Sequence, residues 1–196
     1  MSLSKITVLL VMGLISTGCG RSPDSQFYVL NPIPLSSKTI KHYNQLRIGI
    51  VSITSPDYTL KPQVIIHCNA HQVKLEEFHR WAESLDKNIQ RVIEANLITL
   101  LPGAAIATKP WDLLFKPNYQ LQLNISQFDV DIDGNSILRA DYLIYSANHL
   151  KRKGTLYYHL HVPHATIAAL VTSMNANLTH LTQDLAKVFA SLSKDS

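Results

Sequence analysis

Cysteine is nearly absent: the 196 residues hold only Cys19 and Cys68. Two thiols make no disulfide framework, so the fold must stand on its apolar core. Glycine is also scarce, at seven, and nowhere does it gather into the loop that cradles phosphate groups. Neither a G-x-S-x-G nucleophile elbow nor an H-E-x-x-H helix occurs. Charged residues make up 16% of the chain and leave a formal net charge of +4, with Lys151-Arg152-Lys153 as the one local cluster. That is too little for a nucleic-acid footprint. No apolar run approaches the roughly twenty residues that a membrane-spanning helix needs.

The longest run, Ile6 to Ile15, instead follows a positive start at Lys5 and leads through Ser16-Thr17-Gly18 to Cys19. Its length and flanks suit an export signal removed from the mature chain. A cysteine directly after the small residues resembles a bacterial lipoprotein signal, although Ser16 stands where that pattern usually has leucine. A conventional signal would leave Cys19 as a spare thiol. On the lipoprotein reading Cys19 is acylated, and two or more chains give stable anchoring, at about 0.8 kcal/mol per buried methylene. Gly20 in place of aspartate then favours the outer membrane. With Cys19 committed to lipid, Cys68 is the only thiol left.

Residues 20 to 45 are rich in Ser, Pro and Asn and hold the short apolar run Phe27-Tyr28-Val29-Leu30. They read as a tether with one edge strand. Alternation through Leu46, Ile48 and Ile50 predicts a strand. Pro56 and Pro62 bracket a loop, and Val64 to Cys68 and Val73 to Trp81 read as a hairpin about Asn69-Ala70-His71. Ser84 suits an N-cap whose hydroxyl accepts from first-turn amides, followed by Leu85, Ile89, Val92, Ile93, Asn96, Leu97 and Leu100 on one helical face, with Pro102-Gly103 as the stop. A short strand near Ile106 comes next. Tyr119 to Ser126, Ile137 to His149 and Thr155 to Val162 predict an antiparallel meander, with turns at Asp133-Gly134-Asn135 and at Lys151-Arg152-Lys153 before Gly154. That basic turn suits a solvated hairpin tip, or contact with anionic headgroups. A second apolar stripe from Ile167 to Leu192 predicts a long C-terminal helix.

The expected fold is α+β with two layers: a mixed, largely antiparallel sheet packed by two main helices, at about 84–101 and 165–192. The expected organisation is a lipoprotein signal at 1–18, a lipidated N-terminus and tether at 19–45, and one α/β domain at 46–196.

Histidine patterns invite a metal reading. His159-x-His161-x-x-His164 and His67-Cys68-x-x-His71 have spacings that zinc accepts, but His159 and His161 fall on the polar face of a strand and the second cluster lacks a fourth ligand. Neither is expected to hold metal. Asp129, Asp131 and Asp133 end in Gly134 like the start of a calcium loop, yet the twelfth position is Ala140 rather than glutamate, so a hairpin turn is expected.

Several blocks carry a family resemblance: Pro56-Asp57-Tyr58-Thr59-Leu60-Lys61-Pro62-Gln63, Arg80-Trp81-Ala82-Glu83-Ser84-Leu85, Asn88-Ile89-Gln90-Arg91-Val92 with Asn96-Leu97, Leu101-Pro102 before Pro110-Trp111, and Ala169-Leu170-Val171 with Met174. The chain resembles the ABC-type transport auxiliary lipoproteins of the PqiC (YmbA) type, from about Phe27 to the C-terminal helix. Such a resemblance implies docking rather than catalysis, with no cofactor. It also implies an outer-membrane lipid anchor with the domain facing the periplasm, and as partners an MCE-domain membrane protein and an inner-membrane permease of an intermembrane lipid transport system. Homo-oligomers are implied as well. Pro56, Tyr58, Leu60, Lys61, Pro62, Gln63, Arg80 and Trp81 are then the candidate partner or subunit contacts, while Trp81 equally suits the core beside the first helix. The alternative is a lipoprotein that binds its own small ligand or metal, or serves an unrelated envelope assembly.

Overall fold

The computed structural model describes residues 22–35 and 42–193. The predicted signal and Cys19 lie outside the described residues. Among the described residues eight strands run in chain order: β1 (Gln26–Tyr28), β2 (Arg47–Thr54), β3 (Gln63–Asn69), β4 (Gln72–Trp81), β5 (Ala105–Thr108), β6 (Tyr119–Val130), β7 (Asn135–Ser146) and β8 (His149–His161). Two helices, α1 (Leu85–Leu100) and α2 (Ile167–Leu192), complete an α+β fold.

The strands divide between two sheets where one was expected. Five join in the order β5-β2-β6-β7-β8 and three in the order β1-β4-β3. In the larger sheet β2 is parallel to both β5 and β6, and β6, β7 and β8 form the expected antiparallel meander. In the smaller sheet β1 is parallel to β4, and β3 and β4 form the expected hairpin. The sheets meet where β3 ends: the His67 carbonyl accepts from the Ile132 amide at 3.1 Å and His67 pairs with Asp131.

Alternation sends Ile48, Ile50, Leu121, Leu123, Ile125, Leu138 and Ile144 into the core. They join Ile89, Ile93 and Leu97 of α1 and Leu178, Leu181, Leu185 and Phe189 of α2 in one buried cluster. Thr166 caps α2, its side chain accepting from the Ala169 amide at 3.2 Å. Ser84 does occupy the N-cap of α1, but it makes no cap bond to the helix amides; its hydroxyl donates instead to the Asp86 carboxylate.

Two expectations need correction. The basic cluster Lys151-Arg152-Lys153 lies inside β8, and the turn falls at Ala147 and Asn148, both with positive φ (48° and 63°). Gly154 serves packing rather than a turn. A Cβ there would come within 2.8 Å of the Tyr142 hydroxyl on the neighbouring strand.

The segment after β1, read from sequence as a leash, is held against the body. Asn88 grips Leu30 at both ends, accepting from its amide at 2.7 Å and donating to its carbonyl at 3.0 Å. Asn96 accepts from the Ile33 amide at 2.7 Å and donates to Thr182 of α2 at 3.0 Å. Both asparagines are buried, so each supplies a backbone partner that water cannot reach.

Candidate docking surface

The block from Pro56 to Gln63 folds as a 3-10 turn (Asp57–Leu60) leading into β3. Thr59 closes the turn from within: its amide and hydroxyl both donate to the Pro56 carbonyl, at 2.9 and 2.7 Å. Tyr58 staples the turn to β6, its hydroxyl donating to the Asp129 carboxylate and accepting from the Phe128 amide at 3.2 Å. Burial, and then the hydrogen bond to Asp129, raises the Tyr58 pKa well above the ordinary value and holds the phenol neutral. With those two residues turned inward, Leu60, Lys61 and Pro62 are left exposed on the outer corner, Leu60 at 55%.

Strand register places the remaining candidates. Phe27 on β1 lies opposite Arg80 on β4, and Arg80 lies opposite Gln63 on β3. Paired residues share a face, so these three form one row across the small sheet. Two residues along β3, Ile65 pairs with Leu75, and then His67 with Val73, on the same face. Phe27, Val73 and Leu75 are exposed there, Phe27 at 65%, and Phe78, two residues before Arg80, is exposed as well. Trp81 points the other way. It is 7% exposed and belongs to the core, taking the second of its two readings.

This apolar face was missed from sequence, apart from Arg80 and Gln63. Alternation in Val73-Lys74-Leu75-Glu76 marks a strand with one apolar side, but which side the core covers depends on the partner sheet. Register also slips between Glu76 and Arg80, so three residues of β4 are taken up across a single step of β3. Phase counted from Val73 therefore fails before it reaches Phe78.

Beside this face, at the junction of the sheets, lies an open polar cleft of about 390 Å³ lined by His67, Cys68, Gln127, Asp129, Asp131 and Asn135, among others. Of its three carboxylates, Asp133 is exposed, while Asp129 and Asp131 are engaged. Asp129 takes the Tyr58 hydroxyl and lies 3.5 Å from His67 Nε2. Asp131 accepts from the Asn135 backbone amide at 2.8 Å and from its side-chain amide at 2.9 Å, which makes it the brace of the β6–β7 turn. Among the described residues no group of three or more histidine, cysteine, aspartate or glutamate side chains is placed to hold a metal ion. His159 and His161 both approach the Asn135 amide oxygen, at 3.0 and 3.3 Å, and His164 lies beyond the end of β8. His71 sits exposed on the β3–β4 turn, away from the cleft lining.

Residues 28–186 match the family described as the ABC-type transport auxiliary lipoprotein component. The chain is 25% identical over 136 residues to the intermembrane transport lipoprotein PqiC of Escherichia coli K12, covering 68% of this chain and 71% of that one. The PqiC of Shigella flexneri matches to the same extent. Among solved structures, protein XCC0632 from Xanthomonas campestris superposes with a TM-score of 0.71 at 10% identity, covering 88% of this chain and all of that one. An uncharacterised protein superposes with a TM-score of 0.69 at 19% identity, covering 84% and 98%. These two show the fold. The matched relatives are transport lipoproteins rather than enzymes. Among the described residues no helix is long and apolar enough to cross a membrane.

Proposed function

Because the chain belongs to the family of ABC-type transport auxiliary lipoprotein components, we propose that it is the docking subunit of an envelope lipid transporter. Acyl chains on Cys19 hold it at the outer membrane with the domain facing the periplasm. The outer face of the small sheet, with the corner at Leu60, Lys61 and Pro62, receives a periplasm-spanning MCE-domain protein whose other end meets an inner-membrane permease. Copies of the chain associate with one another, and no step of catalysis is its own.

The observation that carries this reading is the uncovered row of Phe27, Val73, Leu75 and Phe78 beside Arg80. Contiguous apolar surface on a soluble domain marks an interaction site, and aromatic and arginine side chains are the usual anchors of one. In the neighbouring cleft, by contrast, Asp129 and Asp131 are taken up in bracing the turns.

The test is purification of the full-length chain from its native envelope in mild detergent, with mass spectrometry of the N-terminal peptide and of whatever co-purifies. An acylated Cys19 and an MCE-domain protein that is lost from the Phe27→Asp, Leu75→Asp double variant are expected. An unmodified cysteine sinks the anchor, and partner capture unaffected by the double variant sinks the docking face. Light scattering of the same preparation reads self-association, and a monomer at high concentration sinks that part.

A further inference from the structure

Outside the docking face, two of the three most exposed large apolar side chains among the described residues are neighbours, Leu113 at 96% and Leu114 at 85%, on the loop between β5 and β6. The turn that carries them is braced from every side. The Asp112 carboxylate accepts from the Leu114 amide at 2.7 Å and the Asp112 carbonyl accepts from the Phe115 amide at 2.9 Å. Trp111 and Phe115 meet edge to face with centroids 5.9 Å apart. The Arg47 guanidinium lies over the Phe115 ring at 5.0 Å, and its Nε donates to the Lys116 carbonyl at 2.9 Å. Under Trp111 is Gly49 of β2, where a Cβ would fall 2.8 Å from the indole, so the ring lies directly on the strand.

We propose that Leu113 and Leu114 insert into a lipid surface and give the protein a second membrane contact beside its acylated N-terminus; this part rests on the anchor reading above. Three features choose lipid over a protein partner. Two leucines at a convex tip bury far less than the roughly 800 Å² per partner of a stable protein interface, whereas a bilayer needs no matching groove. The loop carries Lys109 and Lys116 on either side of the tip in sequence and Arg47 stacked on Phe115, against one acid of its own, Asp112, whose carboxylate is already engaged. Basic residues flanking an apolar tip suit anionic headgroups over hydrocarbon, and Trp111 beside the leucines is of the residue type that favours a membrane interface.

Reach is consistent with both contacts at once. The anchored end of the domain lies by the start of α1, where Asn88 holds Leu30, and the loop lies by its end, where Pro102 and Ala105 meet the start of β2. The 16 residues of α1 span about 24 Å. The seven residues from Cys19 to Gln26, fully extended, reach at most about 24 Å. A domain lying along the membrane satisfies the tether and the loop together.

Trp111 is a native probe. Full-length acylated protein is reconstituted into vesicles of phosphatidylethanolamine and phosphatidylglycerol at 3:1, with and without bromine on the acyl chains. Brominated vesicles should quench the Trp111 contribution at least twofold, taken as the difference from Trp111→Phe because Trp81 is buried. The Leu113→Asp, Leu114→Asp double variant should lose that quenching while still floating with the vesicles through its anchor. Unquenched wild type, or equal quenching in the double variant, overturns the proposal, and protection of the loop by a co-purified protein without quenching does so too. Failure of the anchor reads out separately, as an unmodified Cys19 by mass, and in that event quenching on added vesicles still tests the loop. Both leucines are exposed, so an unchanged melting temperature verifies that the double variant is folded.

Discussion

The five-stranded sheet turns Ile50, Leu121, Leu123 and Ile144 toward two helices, each of them at most 1% exposed, while the three-stranded sheet turns Phe27, Val73, Leu75 and Phe78 toward water. Both sheets obey the same alternation and the same ladder rules. What separates them is cover: α1 and α2 lie over the first, while Phe27, Val73, Leu75 and Phe78 of the second remain exposed. Side chains of similar apolarity therefore do different work. On the large sheet they hold the fold, and on the small sheet they wait for a partner.

Substitutions should break the comparison unequally. Phe189→Ala, in the centre of the helix-covered core, should cost about 3–5 kcal/mol, and Leu123→Ala about 2–5 kcal/mol, read by urea unfolding. Asn88→Ala comes next, since it strands the buried Leu30 amide and carbonyl. A loss of about 1–3 kcal/mol is expected, with faster hydrogen exchange at Leu30 and Ile33 as the local signature.

Tyr58→Phe sharpens the boundary between the two sheets. Removing the hydroxyl that joins the 3-10 turn to β6 should cost about 1 kcal/mol near neutral pH. Its pH dependence has a definite sign. The folded state holds the phenol protonated to a higher pH than the unfolded chain, whose value is near 10.0. Above that pH the unfolded state gives up protons that the folded state keeps, and stability falls as pH rises. Tyr158, which donates to Asp184 at 2.6 Å and is raised in the same direction, adds to the slope. Denaturation between pH 9 and 11 should show a shallower decline in Tyr58→Phe than in the wild type; parallel declines would deny the staple its linkage.

The smallest effect is expected on the uncovered face. Leu75→Ala should cost less than about 1 kcal/mol, since Leu75 keeps 37% of its surface exposed where Leu123 keeps 1%. A cost like that of Leu123→Ala would mean that the outer face is part of the core, and the contrast between the sheets would collapse.

Periodicity carried the parts of this fold that are local. Helices over Leu85–Leu100 and Ile167–Leu192 show in steps of three and four, and the β6–β7–β8 meander shows in alternation broken by Asp133-Gly134-Asn135. The second turn of that meander was misread because Gly154 looks like a turn residue. Its reason to be glycine is a tyrosine ring on the next strand, and a cross-strand neighbour leaves no mark in the local pattern. Exposure of the candidate contacts was likewise set by tertiary packing. Leu60 and Lys61 are exposed and Arg80 lies in the uncovered row, but Tyr58 is turned inward and Trp81 fills the core.

Taken alone, the amino-acid order determined the α+β class, the two helices, the meander and the family, because each rests on spacing within one segment or on blocks in order along the chain. Only the tertiary structure decided that the strands divide between two sheets, that Asn88 and Asn96 seize the segment after β1, and that one apolar face stays open. Each of these depends on residues far apart in the chain: Leu30 and Asn88 are 58 positions apart, and Phe27 pairs with Arg80 from another part of the sequence. A side chain's apolarity says that it seeks cover, and the packing of distant elements settles whether that cover comes from within the molecule.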